Sequence, residues 1–470
     1  MGFVLSIMYL FIYYMTPTYL SESLAGLRIQ LIIAVMLALV SLPVLYRSFI
    51  KKTTQSVALV GLSVAIIASI LVARLWFSGA IAALAGFIPN AMAYFFVCLH
   101  CKTKKRLQAL VLTLLVVTLL VIVHGYIDLS YGLGEQLPTQ KLVAEDPVEY
   151  QENANATASP FIMKQGNDAE QPIYRLQGLG ESNDPNDFGQ LIVCVIPLVF
   201  IFWRPREYAM NFLMVLLPVS VLLIGAFLTH SRGTLIALTV VAVLAAYRHI
   251  GLIPSIALAT CLFIGAMALQ FTGGRGISAN TGEDRTALWG QSLQLLKSHP
   301  VFGVGIGNLP DYLEDHKTAH NSVIVCAAEL GVFGLFFWSL FLFPTARDAF
   351  VIASSSKVSE GKRVRVEEDP LPYKVSYSRA IDKSEINRLG RLMFLSLAGY
   401  FCTGWFLSRS FVITLFLLGG MTEVVYEMAL DRGMIVPRMK LGRALPYSGL
   451  LAVVLLITVY VVIRILNLVH

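Results

Sequence analysis

Thirteen stretches of mostly apolar residues, each close to the length of a bilayer crossing, dominate this chain of 470 residues. They fall near 3–19, 27–46, 56–76, 79–98, 107–125, 187–203, 209–228, 231–247, 250–271, 321–344, 390–407, 410–429 and 447–467. About twenty consecutive apolar residues in a helix cross the hydrocarbon core. Inside that core a backbone must satisfy its own N–H and C=O groups, and a helix does so within one segment. The expected fold is therefore an all-α polytopic integral membrane protein of about 12–13 transmembrane helices. Composition agrees, with 56% hydrophobic and 14% charged residues, against about 25% charged in soluble proteins. No long non-apolar region remains to build a soluble domain, so residues 1–470 read as a single membrane domain. The first run, MGFVLSIMYLFIYYM, lacks a basic leader and a small-residue cleavage site, and reads as a retained span.

Basic residues orient the spans. Arg47, Lys51 and Lys52 follow the second run, Lys102, Lys104, Lys105 and Arg106 the fourth, Arg204 and Arg206 the sixth, and Arg248 the eighth. Arg432, Arg438, Lys440 and Arg443 follow the twelfth. All fall on one side, which the positive-inside rule makes cytoplasmic. The N-terminus is then inside, and the C-terminus outside if every run spans, although Arg464 argues mildly against that. The net charge of +7 follows from this loop bias and gives no reason to expect nucleic acid as a partner.

Two long loops fall on the opposite, external side and are expected to carry short helices. The loop 126–186 is acidic, with ten carboxylates from Asp128 to Asp184 against Lys141, Lys164 and Arg175. The loop 272–320 is mixed in charge and contains Gly282-Glu-Asp-Arg285-Thr-Ala-Leu-Trp289, where Trp289, Leu293 and Leu296 recur at helical spacing. That pattern predicts an amphipathic helix lying on the membrane surface. A third polar stretch, 346–389, reads as a cytoplasmic insertion without a catalytic role.

The six cysteines lie mostly inside apolar runs, as small buried hydrophobes do. Cys98 and Cys101 have CxxC spacing, but no second pair completes a metal site. The sequence has no GxxxxGK[ST], no GxGxxG after a strand and no HExxH, so neither a soluble nucleotide, a cofactor nor a metal is expected.

The distinctive polar residues gather at the external ends of the spans. Arg175 stands in Tyr174-Arg-Leu-Gln-Gly-Leu-Gly180, ahead of an Asn183-Asp-Pro-Asn186 turn in which Asp184 or Asn186 is placed to cap the following helix. It either binds phosphate or pairs with the acids of its loop. Arg232, in Thr229-His-Ser-Arg-Gly-Thr234, opens a span, where backbone N–H donors and the helix dipole also favour an anion; snorkelling to headgroups is the alternative. Arg285 can join such a site or pair with Glu283 or Asp284. His320, followed by Asn321 and Ser322, lies where a loop punctuated by Gly303, Gly305 and Gly307 re-enters the membrane. Imidazole can accept a proton near neutral pH, and His316 competes for that role. Glu329, nine residues farther on, is an acid within an apolar run and should face the protein interior.

Taken in order, RLQGLGESNDPNDFG, HSRGT, DRTALWGQSLQLLKSHPVFGVGIGN and TAHNSVIVCAAELGVFG resemble the O-antigen ligase and polymerase superfamily of bacterial membrane proteins over about 175–338. The resemblance implies glycan transfer from undecaprenyl pyrophosphate to an acceptor hydroxyl at the periplasmic face of the inner membrane. It implies an inverting displacement without a metal, with Arg175 and Arg232 holding pyrophosphate and His320 as the base. Arg285, Asn321 and Glu329 complete the expected substrate-binding set. The chain departs from the usual ligase layout, in which the largest external loop directly precedes the catalytic histidine; here the loop before Asp187 is at least as long. The acceptor therefore stays open among lipid A–core, a growing polysaccharide and a protein hydroxyl. The competing class is a transporter or flippase of lipid-linked saccharides, which would show inverted repeats and ionisable groups near mid-membrane.

Overall fold

Each apolar run lies on a helix in the computed structural model, which describes residues 1–17, 28–48, 53–132, 159–166, 171–273, 279–313, 316–355, 383–434 and 438–469. In chain order the helices are α1 Gly2–Met15, α2 Ile29–Ser48, α3 Thr54–Arg74, α4 Phe77–His100 and α5 Lys104–Ser130. A hairpin of β1 Ile162–Gly166 and β2 Pro172–Leu176 follows. Then come α6 Pro185–Val199, α7 Tyr208–Leu228, α8 Arg232–Ile250, α9 Leu252–Ala268 and α10 Ala279–Ser298. The chain ends with α11 Ser322–Ser354, α12 Lys383–Gly404, α13 Ile413–Asp431 and α14 Leu441–Val469. Among the described residues, nine helices are long and apolar enough to cross a membrane, and α1, α2 and α9 add shorter apolar ones. The chain is an all-α multi-pass membrane protein.

The core lies around α11, α12 and α13. α13 is buried along almost its whole length, whereas α14, α7 and α8 keep much of their apolar surface on the outside of the bundle. Exposed Leu, Val and Ile suit contact with lipid, which is as apolar as they are. α12 packs against α6, α8 and α11, and close approach is bought with glycine. Gly189 of α6 sits on Thr234 of α8, and Gly399 of α12 sits on Val193 of α6.

α11 extends past the expected boundary at 344 to Ser354, and α12 begins at Lys383 rather than 390. Much of the polar stretch 346–389 is thus helical at its two edges, and residues 356–382 lie outside the described residues. α11 is also broken. Gly331 adopts φ 67° and ψ −170° within it. A break at membrane depth frees backbone groups that lipid cannot satisfy. The glycine-rich loop after α10 takes them up. Val304 and Gly305 donate to the carbonyls of Ala328 and Glu329 at 3.0 Å, and Val332 and Phe333 donate to those of Pro300 and Val301 at 2.8 and 3.2 Å. The backbones approach so closely that a Cβ on Gly303 would lie 2.4 Å from the Glu329 carbonyl, and one on Gly331 2.2 Å from the Val301 oxygen.

The two ends of the bundle carry different chemistry. At one end stand the N-termini of α6, α8 and α11 with the hairpin and α10. The other holds the α5 N-terminus, where Lys104 pairs with Glu385, and the α11 C-terminus, where the Ala353 carbonyl accepts from Arg248 at 3.0 Å.

Candidate active site

Three helix caps define the site. Asp184 caps α6, accepting from the Asn186 N–H at 2.7 Å and the Asp187 N–H at 3.4 Å. Ser231 caps α8, accepting from the Thr234 N–H at 3.4 Å. Asn321 caps α11, accepting from the Val323 and Ile324 N–H groups at 2.9 and 3.2 Å. Each helix start carries positive dipole potential, and the three are drawn together around the C-terminal end of α12. There Gln190 of α6 donates to Thr403 Oγ1 at 3.0 Å, and Gly404 lies against Ser322.

Arg232 is the first residue of α8 and is half-buried. Arg285, on α10, lies near enough that Arg232, after burial, lowers its proton affinity. Trp289, one turn along α10, donates from Nε1 to the Ala319 carbonyl at 2.6 Å, docking α10 on the loop before α11. This bond brings Arg285 beside His320. The His320 imidazole is pushed below its ordinary value of 6.5, first by burial and then by the Arg285 charge; Asp184 opposes the shift and Lys317 adds to it. Burial and the Arg285 charge thus favour the uncharged imidazole, the form a base requires. His316 is exposed by contrast.

The backbone at His320 is unusual. Its φ is +46°, a region that non-glycine residues seldom occupy. Its N–H donates to Ser408 Oγ at 2.9 Å, and Ser408 Oγ also bonds Thr318 Oγ1 at 2.6 Å. Ser408 belongs to the short segment Trp405–Ser410 between α12 and α13. The same segment accepts from Asn321 Nδ2 on the Trp405 carbonyl at 3.1 Å and from Ser322 Oγ on the Leu407 carbonyl at 2.7 Å. Ser410 Oγ donates to the Ser322 carbonyl at 2.6 Å.

The other expected residues have distinct surroundings. Arg175 is only 3% exposed. Its Nε donates to the Thr229 carbonyl at 2.9 Å, Nη1 to Gln165 Oε1 at 2.8 Å and Nη2 to Asn186 Oδ1 at 3.0 Å. It thereby binds the hairpin to the start of α6 and to the turn that presents Arg232. These three acceptors are neutral oxygens; the loop acids between 133 and 158 lie outside the described residues, as do the side chains of Glu283 and Asp284. Asn321 is fully buried, with its amide committed to the α11 cap and the Trp405 carbonyl. Glu329 is buried, and its carboxylate accepts from the backbone N–H groups of Gly307 and Leu309. It fixes the glycine loop to α11 immediately before the break.

Sequence reasoning missed Ser408, Arg409 and Asp187. Arg409 Nε donates to Asp187 Oδ2 at 2.7 Å, tying the α12–α13 segment to the first turn of α6. The polar triplet Ser408-Arg409-Ser410 between two apolar runs was the available signal, but nothing local connects it to a histidine 88 residues earlier. Among the described residues there is no group of three or more His, Cys, Asp or Glu side chains placed to hold a metal.

Residues 188–339, which carry Arg232, Arg285, His320 and the α11 break, match the family model described as O-antigen ligase. Over that segment the chain is similar to the O-antigen ligase family. No curated protein matches the chain. The matched segment begins after Arg175 and Asp184 and ends before Ser408, so three of the side chains around the site come from outside it.

Proposed function

We propose that this protein belongs to the O-antigen ligase superfamily and moves a glycan from a polyprenyl pyrophosphate, undecaprenyl pyrophosphate in a bacterial inner membrane, to an acceptor hydroxyl on the external, periplasmic side. The observation that carries the reading is the conjunction of a half-buried His320 with Arg285 and Arg232 at the meeting of three helix N-termini. Crowded positive charge suits a diphosphate, and guanidinium forks bind it through paired, charge-assisted bonds.

In the reaction, the His320 imidazole takes the proton of the acceptor hydroxyl as its oxygen attacks the anomeric carbon. The bond from that carbon to the pyrophosphate oxygen breaks, and the anomeric configuration inverts. The leaving lipid pyrophosphate carries the negative charge, which Arg232, Arg285 and the α8 N-terminus stabilise in place. Arg175 supports the reaction by bracing the Thr229–Arg232 turn, and Asn321 and Glu329 by fixing the ground on which His320 and the glycine loop stand. The acceptor decides whether the product is a ligated glycolipid, an extended polysaccharide or a glycosylated protein.

A transporter of lipid-linked saccharides would use a broken helix such as α11 to coordinate cargo through freed backbone groups. Here the carbonyls of Ala328 and Glu329 and the N–H groups of Val332 and Phe333 are bonded to the loop 300–305, which favours the enzyme. The test is purified protein given a lipid-pyrophosphate glycan and competing acceptors. The expected result is transfer by the wild type and a loss of about 10²–10⁴-fold in His320→Ala, the usual range for a removed general base, with membrane insertion intact. Undiminished transfer by His320→Ala would overturn the base role.

A further inference from the structure

We infer that Ser408, outside the family-matched segment, is a positioning residue that sets the reactive geometry of His320; the inference rests on the proposed role of His320 as the base. His320 sits at φ +46°, and an L-residue there needs surrounding structure to hold it. Capping alone does not supply this, because Asn321 restrains the residues after His320. Ser408 is the group that grips the bend itself. Its Oγ accepts the His320 N–H at 2.9 Å and bonds Thr318 Oγ1 at 2.6 Å, so one hydroxyl spans both flanks of Ala319. Trp289 holds the carbonyl of that same Ala319 from α10. The bend is thus held between the α12–α13 segment and α10, the helix that carries Arg285.

Ser408 itself is fixed by its neighbours. The Arg409 N–H donates to Ser322 Oγ at 3.2 Å, the Arg409 carbonyl accepts from Tyr400 OH at 2.7 Å, and the Arg409 side chain is ion-paired to Asp187. A hydroxyl mounted on three anchored partners is suited to holding a strained bend at a chosen angle. A misplacement of about 1 Å in a reacting group costs on the order of a hundredfold in rate, so loss of this grip should appear in turnover more than in donor binding.

The experiment compares Ser408→Ala, Ser408→Thr, His320→Ala and the double variant, purified in detergent and assayed with a lipid-pyrophosphate glycan and a saturating acceptor. Ser408→Ala should lose roughly tenfold to a hundredfold in kcat with KM for the donor unchanged. Ser408→Thr, which keeps the hydroxyl, should restore most of it. Adding Ser408→Ala to His320→Ala should produce no further loss, because the serine acts through the histidine. Wild-type kcat in Ser408→Ala with an inactive His320→Ala would overturn the inference and leave the base role standing. A full additional loss in the double variant, or no rescue by threonine, would reduce Ser408 to a general structural contact and overturn it as well. Full activity of His320→Ala would instead remove the reading on which the inference rests.

Discussion

Arginines gather at both ends of this bundle, and their partners differ. At the end opposite the site, Arg438 pairs with Glu423 and Glu427, one turn apart on α13, and its guanidinium lies 5.2 Å from the centre of the Tyr426 ring. Arg347 donates to Asp348 at 2.6 Å, and Gln55 Nε2 donates to the other oxygen of that carboxylate at 3.4 Å. Glu423, Glu427 and Asp348 are all buried. At the site end, Arg285 faces Arg232, and His320 faces Arg285 and Lys317, with Asp184 as the opposing charge. One end pairs its arginines with buried carboxylates, and at the other two arginines lie within electrostatic reach of each other and of a histidine. Taking charge into a low-dielectric interior is costly unless it is matched. Two guanidinium groups close together beside an imidazole suit an arriving anion. The first cluster reads as architecture, and the second is the one we propose to bind substrate.

The contrast can be broken at either end. The largest effect is expected from Arg438→Leu, which strands buried Glu423 and Glu427; breaking such a pair costs roughly 3–5 kcal/mol. The yield and thermal stability of the purified protein should fall, while turnover per folded molecule stays near wild type. Normal stability would mean that the opposite end is not architectural. Arg232→Lys should do the reverse, leaving the folded yield intact and cutting transfer by about tenfold or more, because a point charge does not reproduce a guanidinium fork. Wild-type transfer in that variant would assign Arg232 to lipid headgroups instead.

A smaller effect tests the electrostatic coupling. Protonated imidazole cannot act as a base, so the rate should rise with pH through the His320 pKa and level off above it. Burial and Arg285 hold that pKa below 6.5, Lys317 adds to the depression and Asp184 opposes it. Arg285→Ala removes a depressing charge, so the acid limb of its kcat profile should move to higher pH. An unmoved limb would show that Arg285 and His320 do not share a site. The smallest expected effect is that of a chelator. With arginines in the place of a metal, EDTA should leave transfer unchanged, and its loss would point to a bound cation.

Much of the fold was legible because its cause is local. A long apolar run in lipid has few options for its backbone, so each run could be read as a helix one at a time. The four ordered motifs marked the family for a similar reason, since each lies within a short stretch of sequence. Arg232 was legible as the first residue of a span, and His320 as the last residue before one.

What the sequence by itself determined, then, is the set of helices, the clustering of unusual polar residues at their ends and the similarity to the O-antigen ligase family over residues 188–339. The tertiary structure decided what each polar residue does there. Arg175 reads as a phosphate ligand or a partner of its loop's acids, but folding buries it against Thr229, Gln165 and Asn186. Gly331 breaks α11, and the loop 300–305, well before it along the chain, takes up the backbone groups that the break releases. Asn321 and Glu329 read as ligands and are engaged with the backbone of their own protein, while the polar triplet around Ser408 had no visible link to His320 until folding placed them together. Hydrophobicity is a property of a segment and can be read from it. A hydrogen-bond partner belongs to a pair, and the second member of the pair is supplied only when the chain has folded.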